Sequence, residues 1–103
     1  MTLTIDIAGA PYPASLNMEV YAEFEMQTGR SIAEIKENIG DFTHLVYLAI
    51  RDGCDQKGVE LEMTLKDFRR RLQPSDFRAI ADFINKSMNA GGEVKKKKQK
   101  GAN

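Results

Sequence analysis

The stretch Asn17 to Ile35, NMEVYAEFEMQTGRSIAEI, constrains this chain more than any other, because it spells two helical starts and the stop between them. Asn17 is an N-cap residue whose side-chain oxygen can accept from a first-turn amide lacking a helical partner, and Leu16 just outside it can staple onto Tyr21. Val20, Tyr21, Phe24 and Thr28 share one face, with Tyr21 and Phe24 expected in the core, while Glu19, Glu23 and Glu25 lie toward solvent. Gly29 stands where a left-handed stop is needed, and Ser31 with Glu34 has the spacing of a capping box. The reading is helix, glycine stop, second helix, with Gly40 ending the second.

Upstream, Leu3, Ile5 and Ile7 alternate with Thr2, Thr4 and Asp6, which is the period of a half-buried strand. A turn at Gly9, Ala10 and Pro11 then returns Tyr12 to Leu16 as a second strand, held to an edge by Pro13. Downstream, Asp41 can cap a third helix in which Phe42, Leu45, Val46, Ala49 and Ile50 make one stripe while Tyr47 and Leu48 add apolar surface elsewhere. Such a helix is expected at the centre, fading near Arg51 to Gly53 into a polar loop that runs to Gly58. Val59 to Met63 reads as an extended linker, and Thr64 with Asp67 caps a short helix, TLKDFRRRL. Pro74 suits the first position of a last helix, with Asp76 near its positive end. Phe77, Ile80, Ala81, Ile84 and Met88 form that helix's stripe, and Asn89 to Gly92 end it.

These elements predict a mainly α (α+β) fold: an N-terminal β-hairpin over residues 1–16 and about four to five short helices over 17–90, in one globular domain. Residues 91–103 carry no apolar periodicity and are expected to be a disordered, lysine-rich tail. That tail hides a charge asymmetry behind the net charge of zero. Lys95, Lys96, Lys97, Lys98 and Lys100 lie in it, so residues 1–92 hold ten cationic residues against fourteen acidic ones. An acidic body argues against broad duplex binding, whose affinity comes from cations neutralising phosphates. No apolar run nears the roughly 20 residues of a membrane span, and no signal peptide opens the chain. A lone Cys54 cannot form an internal disulfide. A cytoplasmic setting is expected, with no membrane association.

Catalytic chemistry has little to stand on. His44 and Cys54 are the single residues of their kinds, separated by a predicted helix end, and read as a surface or capping histidine and a core-edge cysteine. One histidine and one cysteine cannot build a structural zinc site, and no glycine-rich phosphate loop is present, so no metal, cofactor or small-molecule substrate is expected. Two basic features remain. Arg69, Arg70 and Arg71 precede a turn and a second helix, as in a helix-turn-helix, yet that helix offers Asp76, Asp82 and a wide apolar stripe instead of base-reading groups. The alternative places the arginines on a solvated face or against the acidic first helix. The run Lys95 to Lys98 is either a solubilising end or a contact for an acidic partner or nucleic acid.

In order, the Asn-Met step, the VYAEFEMQTGRSIAEI block, the apolar helix LVYLAIRDG, the threonine-capped short helix and the closing amphipathic helix resemble the small tail assembly chaperones of long-tailed bacteriophages and prophages. The resemblance covers roughly Leu3 to Met88 and is most telling at Phe24, Glu25, Thr28, Gly29, Arg30 and Ser31. It implies a non-enzymatic protein of the host cytoplasm that coats a tape-measure protein, keeps its apolar helices soluble and helps recruit tail-tube subunits. It also implies a longer product made by ribosomal slippage, for which the codons of Lys95 to Lys98 would supply the adenine-rich run. A nucleic-acid-binding or regulatory module using Arg69 to Arg71 and the lysine run is the competing class, and a generic interaction subunit of a mobile element is a third. The apolar third helix leaves room for self-association.

Overall fold

A computed structural model describes residues 3–35 and 38–100, with side chains as far as Met88. Strands β1 (Leu3–Ile7) and β2 (Ala10–Ala14) pair antiparallel, and four helices follow: α1 (Met18–Thr28), α2 (Ile39–Gln56), α3 (Leu65–Arg71) and α4 (Asp76–Lys100). A single 3-10 turn, Ile32–Glu34, lies between α1 and α2. This is the expected hairpin followed by helices around one core.

The hairpin turn differs in place from the sequence reading. Ile7 pairs with Ala10, so Ala8 and Gly9 alone make the turn, at φ of 52° and 81°. Positive φ at both central residues is the geometry whose twist matches the strands. Counting outward from the Ile7–Ala10 pair, Pro11 and Pro13 oppose Asp6 and Thr4, the non-hydrogen-bonded positions where a missing N–H removes no ladder bond. Both prolines are therefore accommodated inside the strand. Asp76 fixes the turn to the rest of the molecule: its Oδ1 accepts from the Ala8 amide at 3.3 Å, while Oδ2 accepts from the Gln73 amide at 2.8 Å.

Helix α1 starts and stops as its residues dictate. Asn17 Oδ1 accepts from the Val20 amide at 3.0 Å, and Gly29, at φ of 75°, closes the helix with its amide on the Glu25 carbonyl. Phe24 is fully buried, whereas Tyr21 is only half-buried at the edge of the core. The second helix expected after Gly29 is shorter than the sequence suggests. The capping box of Ser31 and Glu34 is formed, yet it starts only the 3-10 turn, because Ile35 returns to extended backbone. One turn fixes several dihedrals for few hydrogen bonds, so a cap alone does not propagate a helix.

Gly40 and Asp41 also have different places from those expected. Asn38, not Asp41, caps α2, accepting from the Asp41 amide at 2.8 Å, and Gly40 lies inside the helix. At the other end α2 runs past Gly53 to Gln56. Gly58, at φ of 73°, is its stop: Val59 N–H reaches the Cys54 carbonyl and Gly58 N–H the Asp55 carbonyl, the paired bonds of a Schellman motif. Gly53 is helical for a packing reason. A Cβ there would lie 2.6 Å from the Pro13 carbonyl group and 2.7 Å from the Ala14 nitrogen. One turn earlier, the Ala49 carbonyl accepts from the Ser15 amide at 3.0 Å. Two small residues one turn apart thus let the end of β2 lie directly on the helix backbone.

Helix α2 is the centre of the molecule, packed against β2, α1, α3 and α4. Phe42, Leu45, Val46, Leu48, Ala49, Ile50 and Cys54 are all buried, so the helix is covered on more than its stripe, as its composition predicts. Thr64 and Asp67 form the expected capping box of α3, and Phe68 fills the core from that helix. Pro74 lies in the turn before α4 and not at its first position; Asp76 N–H already returns to the Gln73 carbonyl there. Helix α4 contributes Ile80, Phe83 and Ile84 to the core. Its backbone stays helical to Lys100, past the stop expected at Asn89 to Gly92. The expected tail and its Lys95, Lys96, Lys97 and Lys98 side chains lie outside the residues described with side chains.

Candidate partner-binding groove

Where α2 begins, α3 ends and α4 begins, three helix termini leave a groove lined by Ile39, Thr43, Arg69, Leu72, Gln73, Pro74, Phe77 and Ile80, with a volume of about 300 Å³. Each wall has a local cause. Ile39 is the first residue of α2, one position past the Asn38 cap, so it projects beyond the neighbouring helices and stays 66% exposed. Leu72 caps the end of α3 in extended backbone and stays half-buried against the core. Phe77, near the start of α4, stacks on the core residue Phe42 with ring centroids 5.7 Å apart, which ties this wall of the groove to the core. The lining is predominantly apolar and open to solvent.

Arg69 is the charged member of the wall. Its Nε donates to Thr43 Oγ1 at 2.9 Å and its Nη2 to the Gly40 carbonyl at 3.0 Å, so the guanidinium spans from α3 to the first turn of α2. Thr43 is buried and passes its own hydroxyl hydrogen to the Ile39 carbonyl at 2.5 Å. The three arginines thus part company. Arg69 forms part of the groove wall, and Arg70 and Arg71 lie on other sides of the same short helix. All three are exposed, as the solvated-face alternative expects, and Arg69 in addition bonds to the first turn of α2, not to the acidic first helix. In the helix-turn-helix comparison α4 would be the reading helix, yet Ile80, Phe83 and Ile84 commit a broad face of it to the core.

His44, one residue from Thr43, faces α1. Its Nε2 is 2.7 Å from Gln27 Oε1, and its ring meets Phe24 edge-on at 5.5 Å. Burial pushes its pKa below the ordinary histidine value; the nearby Arg69 and Arg30 charges push the same way, and Asp41 opposes them. Cys54 lies ten residues further along the same helix, about 15 Å at 1.5 Å per residue, so the two cannot meet. The Cys54 thiol is buried and its pKa is raised, by desolvation first and by Asp55 second, which makes it a poor nucleophile.

A second apolar feature lies on α1, where Met18 and Met26 are 80% and 82% exposed among Glu19, Glu23 and Glu25. The glutamates are not uniformly solvated as the sequence suggests. Glu25 Oε2 accepts from the Ile32 amide at 2.7 Å, and Glu23 faces Arg51 at 3.8 Å. The groove residues Ile39 and Leu72 were not legible as a site, since each reads in sequence as an ordinary helix-end hydrophobe; only Arg69 carried a signal, and that signal was shared with its two neighbours.

No helix among the described residues is long and apolar enough to cross a membrane. No family model, curated protein or solved structure matches this chain.

Proposed function

We propose that this protein is a non-enzymatic assembly chaperone that holds exposed apolar helices of a larger partner, in the manner of the small phage and prophage tail assembly chaperones it resembles. In that role the partner is a tape-measure protein, the chaperone works in the host cytoplasm, and it helps bring tail-tube subunits to the covered partner. The observation that supports this reading is the open groove of Ile39, Leu72 and Phe77 over the buried Ile80, a concave apolar surface bounded by helix ends, of the kind that receives one face of an amphipathic helix. The resemblance over EFEMQTGRSI supplies the biological setting; the groove supplies a physical means.

The test is co-expression of the full chain with the long helical protein encoded beside it. The partner's soluble fraction should rise, and the two should co-elute at a fixed ratio on size exclusion. A partner that stays insoluble, or a gene neighbourhood with no long helical product, defeats the reading.

A further inference from the structure

Arg69 is held in one orientation by two neutral acceptors, the Thr43 hydroxyl and the Gly40 carbonyl. The close ion pairs given for the described residues join Arg30 with Asp41 and Arg51 with Glu23, and neither includes Arg69. A guanidinium has five N–H donors in a fixed fork, and the anchoring uses one from Nε and one from Nη2. The remainder belong to an exposed side chain at the wall of an apolar groove. A pre-oriented cation of this kind beside an apolar slot fits one chemical pattern, an apolar side chain with a carboxylate about one turn away on the same helix.

We infer that the groove binds an amphipathic helix whose apolar stripe is bordered by an aspartate or glutamate, with Ile39, Leu72 and Phe77 receiving the stripe and Arg69 the carboxylate. This deepens the chaperone reading and rests on it, since it names the class of partner helix that the groove selects. A second copy of the chain would offer its own α1, where Met18 and Met26 stand among glutamates. That occupant fits less well: Glu25 is bonded to the Ile32 amide, Glu23 to Gln27 and Arg51, and the two methionines are two turns apart.

The experiment uses the full chain and labelled helical peptides of about five turns with a Leu/Ile stripe, each carrying Glu, Gln or Lys at one position beside the stripe. Fluorescence anisotropy should show the Glu peptide binding about 2- to 5-fold more tightly than the Gln peptide, the span of an ion pair to an exposed arginine. The Lys peptide should bind more weakly still. Arg69→Gln should erase the difference between Glu and Gln peptides. Because Arg69 also joins α3 to α2, Ile39→Glu is the second variant: its position is largely exposed, and the new carboxylate occupies both slot and cation. It should abolish peptide binding with an unchanged circular dichroism spectrum.

Equal affinities for Glu and Gln peptides, no binding of any peptide, or unchanged binding by Ile39→Glu would overturn the inference. A concentration-dependent mass in sedimentation equilibrium that Ile39→Glu removes would also overturn it, in favour of a second copy as occupant. The chaperone reading is judged separately: if Ile39→Glu still solubilises the long partner, the groove assignment falls and the reading stands, whereas a wild-type chain that solubilises nothing sinks the reading.

Discussion

Arg30, one residue beyond the glycine that ends α1, reaches across to Asp41 in the first turn of α2, its Nη1 donating to Oδ2 at 2.7 Å and its Nη2 to Oδ1. The fork meets the carboxylate with two parallel bonds, and the Asp41 side chain is 7% exposed. The pair ties the residue just after α1 to the first turn of α2. Arg30→Gln should lower Tm, because it leaves a buried carboxylate without its countercharge. The double variant Arg30→Gln/Asp41→Asn should recover part of the loss. Thermal melts of both check this; a double variant less stable than Arg30→Gln would contradict it.

Gly53→Ala sets two effects against each other. Helix propensity favours alanine by about 1 kcal/mol. The new Cβ, however, would stand 2.6 Å from the backbone of Pro13, which is not the flexible end of a side chain and cannot turn aside. Overpacking of this kind costs about 1–3 kcal/mol, so net destabilisation is expected, with β2 displaced from α2. Urea denaturation measures the sign directly, and a stabilised variant would show that β2 yields freely.

Asn17 holds three elements together. Besides capping α1, its Nδ2 donates to Asp52 Oδ2 of α2 at 2.8 Å and to Ser15 Oγ at 3.2 Å. Asn17→Ala should cost about 1–2 kcal/mol, the upper part of the range for a lost cap. Asn17→Asp is the discriminating variant. Aspartate caps as well as asparagine, but here it removes the amide donor and sets a second carboxylate against Asp52. Chemical denaturation should find it nearly as destabilised as the alanine variant at neutral pH; a variant as stable as wild type would reduce Asn17 to a cap.

His44 makes stability depend on pH. Its folded pKa lies below the unfolded value, mainly through burial and then through Arg69, so folding favours the neutral ring. A depressed pKa means the contribution is fully present above the unfolded value of about 6.5 and is lost as pH falls through the folded value. Melts across roughly pH 7 to pH 5 should therefore show Tm falling toward acid. His44→Gln should flatten that part of the profile, and an unchanged slope would assign the titration elsewhere.

The sequence by itself determined those caps and stripes that local chemistry governs alone. Asn17, Gly29, Ser31 with Glu34, and Thr64 with Asp67 satisfy or redirect backbone groups within a few residues of themselves, and all act as their types require. The stripe from Phe42 to Ile50 announced a central helix because burial on several faces is written in composition. Tertiary structure decided what depends on contacts distant in the chain. Gly53 reads as a helix end, yet it is helical because β2 needs room, 40 residues away in sequence by its contact with Pro13. Asp41 reads as a cap, yet Arg30 claims its carboxylate and leaves capping to Asn38. The groove is the furthest case. Ile39, Arg69, Leu72 and Phe77 come from three helices, and only packing against α2 turns an exposed isoleucine, one arginine of three and two helix-end hydrophobes into a single concave surface.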